Sequence, residues 1–171
     1  MVREFLARRR VALGFLSATA VLYLAAPTWT SLSAGAAVAL AGQAIRIWAA
    51  GHLEKSREVT ASGPYRFSRH PLYLGSSIMA AGLAVGCRSW VVAAVVGLYM
   101  ITTITAAIRS EEAFLREKFG GAYDDYARSR GPRVSRRFSW SRAWRNREYR
   151  SVGGLVLFLA VLCLRVVAAG E

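Results

Sequence analysis

Apolar residues fall in five long blocks separated by short polar connections: Val11 to Ala26, Leu32 to Ala50, Leu72 to Gly86, Trp90 to Ile108 and Val152 to Ala169. Each is near the roughly 20 residues that carry a helix across a ~30 Å hydrocarbon layer, the first and third being short. Lipid cannot satisfy bare backbone groups, so the pattern predicts helices throughout. The expected fold class is all-α, a polytopic membrane protein of about five transmembrane helices. Blocks three and four are joined by only a few residues and are therefore expected as antiparallel neighbours.

Composition supports that class. In 171 residues, 54% are hydrophobic and only 19% charged, too apolar a balance for the water-facing surface of a soluble domain of this size. The net charge of +13 points to nucleic acid only if its distribution is ignored. Arg3 and Arg8 to Arg10 precede the first block, Arg46 to Arg69 surround the second connection, and Arg109 to Arg150 fill the fourth. The connections near Pro27 and Cys87 hold a single basic residue between them. This is the positive-inside pattern, predicting a cytoplasmic N-terminus, cytoplasmic loops on that side and an outside C-terminus, in a membrane of the bacterial inner type. No nucleic-acid partner is expected.

Arg8-Arg9-Arg10 before an apolar run resembles a signal peptide. The second block follows so closely that cleavage would disturb a hairpin, and an uncleaved first helix is the expectation. Cys87 and Cys163 are expected too far apart in depth to pair, and no metal site is predicted. The chain divides into residues 1–50, an N-terminal transmembrane hairpin; 51–133, a hairpin with polar clusters at its ends; and 134–171, a basic linker with a closing helix. No internal repeat is visible.

Polar chemistry concentrates at two points: Gly63-Pro64-Tyr65 through Arg69-His70-Pro71-Leu72-Tyr73-Leu74-Gly75, and Glu111-Glu112. Gly63-Pro64 marks a turn, Pro71 suits the first position of a helix, and His70 is the candidate N-cap. At helical pitch the third block rises about 24 Å and the fourth about 30 Å, so both clusters return to the same interface. A pocket between them is expected. Arg69 and His70 stand at the positive end of a helix dipole, which favours an anionic ligand group. The two carboxylates point about 100° apart, so one can face the pocket while the other pairs outward, for instance with Arg116. Tyr65 and Tyr73 combine stacking with hydrogen bonding, and Gly75 leaves room for a flat base. Gly82 and Gly86 read as helix packing.

These residues, with Arg46-Ile47-Trp48-Ala49 before them and Leu115, Phe119-Gly120, Tyr123, Tyr126 and Pro132-Arg133 after, resemble the isoprenylcysteine carboxyl methyltransferase and phospholipid methyltransferase superfamily. The resemblance runs roughly from Gly42 to Arg133. It implies an integral-membrane enzyme that uses S-adenosylmethionine without a Rossmann fold, and no Gly-x-Gly-x-x-Gly stands between a strand and a helix here. It further implies that Arg69, His70, Tyr73, Gly75, Glu111 and Glu112 bind the cofactor; Tyr65 joins them as a stacking candidate. The acceptor is expected to be a lipophilic small molecule or a membrane lipid, methylated on a carboxyl or an amine. No catalytic residue is fixed: for an amine acceptor His70 or a Glu of raised pKa is a candidate base, and Arg46 and Arg133 are candidates for an anionic headgroup. Sterol-reductase enzymes, which use a nicotinamide cofactor, carry a similar Arg-His-Pro-x-Tyr start and are the alternative. A non-enzymatic membrane scaffold is the third reading, and it leaves the joint motif unexplained.

Overall fold

The computed structural model describes residues 21, 23–128, 130 and 135–170, and within them every regular element is helical. Most of the first apolar block, and Arg133 with it, lies outside the described residues. The elements are α1 (Trp29–Ala50), a 3-10 turn (Gly63–Arg66), α2 (Pro71–Cys87), α3 (Trp90–Phe119), α4 (Gly121–Ala127), α5 (Trp140–Arg145) and α6 (Glu148–Ala168). Among them α1, α3 and α6 are long and apolar enough to cross a membrane, whereas α2 is an apolar helix of 17 residues. Large side chains left open on the long helices, such as Leu98, Ile101, Leu157 and Leu164, form faces suited to lipid rather than water.

Helix α1 begins three residues before the expected Leu32. Thr28 caps it reciprocally: its hydroxyl accepts from the Ser31 amide at 3.2 Å, and its own amide donates to the Ser31 hydroxyl at 3.0 Å. Pro71 opens α2 as expected. The α2–α3 connection is only Arg88, left-handed at φ 48°, and Ser89, whose hydroxyl caps α3. The two helices are therefore an antiparallel hairpin. At 30 residues α3 rises about 45 Å, longer than a hydrocarbon core, so its last turns, Arg109 to Phe119, stand beyond the end of α2.

The seam between α1 and α2 is built on glycine. A Cβ at Gly42 would meet the Met79 backbone nitrogen at 2.5 Å, and one at Gly82 the Ala39 nitrogen at 2.4 Å. The backbones touch there, which only residues without a side chain permit. Helix α6 packs on α1, and Leu32, Cys87, Val92, Leu162 and Val166 close an apolar cluster at the end of the bundle away from the polar motifs. Cys163 packs against that cluster, so the two cysteines lie closer in depth than expected; both are free thiols.

Candidate functional site

The hairpin does bring the two polar clusters together. His70 occupies the N-cap position of α2, but its ring does not cap the helix: Nε2 lies 3.1 Å from Glu112 Oε1 and Nδ1 4.0 Å from Glu111 Oε2. Glu112 also receives Arg69 at 3.2 Å on the same oxygen and Arg116 at 3.3 Å on the other. Three cationic or hydrogen-bonding groups thus converge on one largely enclosed carboxylate, a tie between the start of α2 and the overhang of α3. Its neighbour turns the other way. Glu111 keeps 43% of its side chain accessible and lines a cavity. The outward pairing with Arg116 falls to Glu112, as a rotation of about 100° per residue requires.

That cavity measures about 510 Å³. Tyr65, Arg69, Tyr73, Glu111, Tyr123 and Tyr126 form one side, and the connection from Leu53 to Thr60 forms the other. The Tyr126 hydroxyl donates to the Tyr65 carbonyl at 2.9 Å, holding α4 against the 3-10 turn. The turn rests on Gly63, whose φ of +56° and the His52 ring packed against it leave no place for a Cβ, at 2.6 Å from that ring. Burial foremost, then the charge on Glu111, pushes the Tyr65 hydroxyl upward. Burial foremost pushes Tyr126 up to about 12. Tyr123 is likewise raised by burial, with the Glu112 charge adding to it. These phenols stay neutral donors throughout the physiological range. The Tyr123 hydroxyl is buried in the cavity wall beside the Glu112 carboxylate, with no close hydrogen bond among the described residues.

Other expected residues are placed differently. Gly75 is buried against α1, where a Cβ would meet the Gly42 carbonyl oxygen at 2.7 Å. It serves helix contact rather than leaving room for a flat ligand. Arg46 is occupied: Nε and Nη2 lie 2.7 and 3.1 Å from the two oxygens of Glu148, and Nη1 donates to the Ser76 hydroxyl. Gln43 donates to Glu148 at 3.0 Å and accepts from Ser151 at 2.8 Å. This guanidinium therefore ties α1, α2 and α6 together instead of standing free for a headgroup. Arg133, the other headgroup candidate, lies outside the described residues.

Two contributors were missed in the sequence. Tyr123 was visible only as part of a motif, because burial of its hydroxyl depends on how α4 folds back. The connection from Leu53 to Thr60 carries no recognisable pattern. It is fixed from far along the chain: Arg136 lies 2.7 Å from Glu58, and Arg142 and Arg145 approach Glu54 at 3.7 and 3.4 Å.

A second, apolar space adjoins the first. A cleft of about 800 Å³ runs between α2 and α3, bounded by Ser77, Ala81 and Ala84 on one side and by Trp90, Gly97, Ile101 and Thr105 on the other. Its end at Ser77 and Thr105 is within about one helical turn of the cavity residues Tyr73 and Ala107.

Comparison with known proteins points the same way. A family model described as phospholipid methyltransferase matches residues 15–122. The nickel-cobalt-cadmium resistance protein NccN of Alcaligenes xylosoxydans xylosoxydans is 38% identical over 85 residues, 48% of this chain and 39% of the relative. The cobalt-zinc-cadmium resistance protein CzcN of Cupriavidus metallidurans is 35% identical over 85 residues, with the same coverage of 48% and 39%. The match thus spans well under half the length of these relatives. No solved structure matches.

Proposed function

Because the chain belongs to the phospholipid methyltransferase family, we propose that it methylates the headgroup of a lipid-tailed acceptor, using S-adenosylmethionine, at the cytoplasmic face of the membrane. The observation that carries this reading is the adjacency of two spaces, a polar cavity ringed by Arg69, Glu111 and tyrosines, and an apolar cleft that opens one helical turn away toward lipid.

The cavity residues fit the cofactor. A volume of about 510 Å³ is within the range of roughly 300 to 1,000 Å³ typical of small-molecule sites. Arg69 offers a guanidinium for a carboxylate, and Glu111 an accessible carboxylate for an ammonium or a ribose diol. Tyr65 and Tyr73 supply aromatic surface for a base. Bound there, S-adenosylmethionine supplies a methyl group activated by a sulfonium, so a strong base is not a general requirement. The protein's part is positioning and exclusion of water. Glu112, engaged by three partners, holds Arg69 and His70 in place. His70 is then a positioning residue, and Glu111 is the carboxylate available to accept a proton from an amine acceptor.

The cleft suits an alkyl tail, letting the acceptor arrive from the bilayer while the cofactor arrives from water. The names of the relatives speak of metal resistance; a methylated membrane lipid is the product through which this chain would bear on such a phenotype. About five spans with the arginine-rich connections inside complete the reading, supported by the charge asymmetry.

Titration of the purified chain with S-adenosylmethionine and NADPH in parallel tests the cofactor. Binding of NADPH alone would favour the reductase alternative and overturn the proposal. Methylation assays on acceptors matched except for the tail test the cleft, and equal turnover of the tail-less compound would remove its role. Orientation is read by labelling Arg66→Cys and Arg128→Cys, both at exposed positions, in a chain lacking its native cysteines. Modification by an impermeant reagent outside intact cells would invert it.

A further inference from the structure

The segment from Arg136 to Arg150 has an inner and an outer side, and only the inner one is occupied. Inside, Arg142 donates to the Gly51 carbonyl at 2.8 Å, and Asn146 donates to the Ala50 and Leu53 carbonyls at 2.8 and 2.9 Å. Phe138 presses its ring on Gly51, where a Cβ would stand 2.1 Å from it. With the Arg136 and Arg145 pairs to Glu58 and Glu54, the segment clasps the connection that walls the polar cavity.

Outside, Trp140 and Trp144 are 71% and 69% exposed. They stand four residues apart on α5 and so share one face, turned away from the buried Ala143. Six arginines occur between positions 136 and 150 against a single glutamate, and Arg46 already engages that one, Glu148. Arg137, Arg147 and Arg150 are exposed and have no carboxylate partner among the described residues. The segment is bonded to the end of α1 and runs into the start of α6, which places it at the level where two spans leave the bilayer. Indole rings favour that level, and guanidinium groups there meet phosphate, for which their planar fork is suited.

We propose that this segment is an interfacial plate that takes anionic phospholipid headgroups on its arginines while Trp140 and Trp144 enter the acyl boundary, and that lipid held outside steadies the cavity wall clasped inside. Neither part depends on what reaction the cavity performs. The charge complementarity selects an anionic bilayer: zwitterionic lipid offers the tryptophans the same boundary but leaves the arginines without net opposite charge.

The full chain in nanodiscs of phosphatidylcholine, with or without a third replaced by phosphatidylglycerol, gives the test. Quenching of the two indoles by tail-brominated lipid is taken as the difference between wild type and Trp140→Phe/Trp144→Phe. Brominated phosphatidylglycerol is expected to quench them more strongly than brominated phosphatidylcholine, and Arg137→Gln/Arg147→Gln/Arg150→Gln to abolish that preference. Hydrogen exchange of wild-type amides 53–60, which needs no variant, is expected to slow roughly threefold with phosphatidylglycerol. Equal quenching by both lipids overturns the headgroup assignment. Exchange indifferent to lipid charge overturns the steadying. Slowing by soluble heparin but not by phosphatidylglycerol overturns the lipid in favour of a macromolecular polyanion.

Discussion

Helix α2 meets its two neighbours through small residues on both sides, with opposite results. Toward α1, Gly75 and Gly82 face Gly42 and Gly35, and the backbones approach until no Cβ fits between them. Toward α3, Ser77, Ala81 and Ala84 face Ile101, Gly97 and Trp90 across an open cleft. Small residues permit close approach without compelling it. What closes the first seam is complementarity of two glycine rows, together with the Arg46 link from α1 to Ser76 on α2. The second stays open between two end ties, the two-residue connection at Arg88-Ser89 and the His70–Glu112 contact, with Trp90 and Ile101 on the α3 side of the cleft.

The sharpest way to break the contrast is to enlarge adjacent residues of α2. Gly82→Leu drives a side chain into the α1 backbone and is expected to cost about 3 kcal/mol or more, read as loss of the folded species or a large fall in melting temperature in detergent. Ala81→Leu, exposed at the cleft, is expected to leave melting within about 0.5 kcal/mol of wild type while lowering turnover of long-tailed acceptors. Equal melting of the two variants would dissolve the distinction.

The polar link at the closed seam comes next. Glu148→Gln leaves Arg46 without its counter-charge and is expected to cost about 3 kcal/mol, whereas Arg46→Met/Glu148→Met, which removes both charges, recovers most of it. A double-mutant cycle with no coupling would sink the tie. At the open side, Glu111→Gln is expected to weaken S-adenosylmethionine about tenfold with melting unchanged, a loss of about 1.4 kcal/mol. Glu112→Gln lowers melting as well, because it releases Arg69, His70 and Arg116 together.

The smallest effect concerns alkaline stability. Tyr126, raised to about 12 by burial, holds its proton in the fold to higher pH than in the unfolded chain, near 10. Stability is therefore complete below about pH 10 and falls as pH rises toward 12. Tyr126→Phe is expected to flatten that limb of the melting profile, while losing about 1 kcal/mol at neutral pH with its bond to Tyr65.

The sequence made the α2–α3 hairpin legible because its cues are local: Pro71 opens one helix, and counting rise from the turn near Cys87 returns Glu111 and Glu112 to the depth of His70. Helical rotation likewise required the carboxylates to diverge. Which of them faces the cavity depended on three partners converging on Glu112, and that is a tertiary fact. Arg46 read as a free cation because its partner Glu148 lies 102 positions away. Gly75 read as ligand space because nothing in its own neighbourhood identified Gly42 as its contact. The wall from Leu53 to Thr60 was illegible for the same reason, its restraints arriving from beyond residue 135.

That last dependence has a consequence for biosynthesis. Ribosomes deliver α1, α2 and α3 before Arg136, Phe138, Arg142 and Asn146 emerge, so the carbonyls at Ala50, Gly51 and Leu53 wait without these partners while about ninety further residues are made. The cavity cannot acquire its finished boundary until the closing helix is being inserted. A nascent or truncated chain ending before residue 136 would hold the His70–Glu112 tie yet lack the clasp, and competence to hold a small molecule would arise only once residues 136 to 146 have been made.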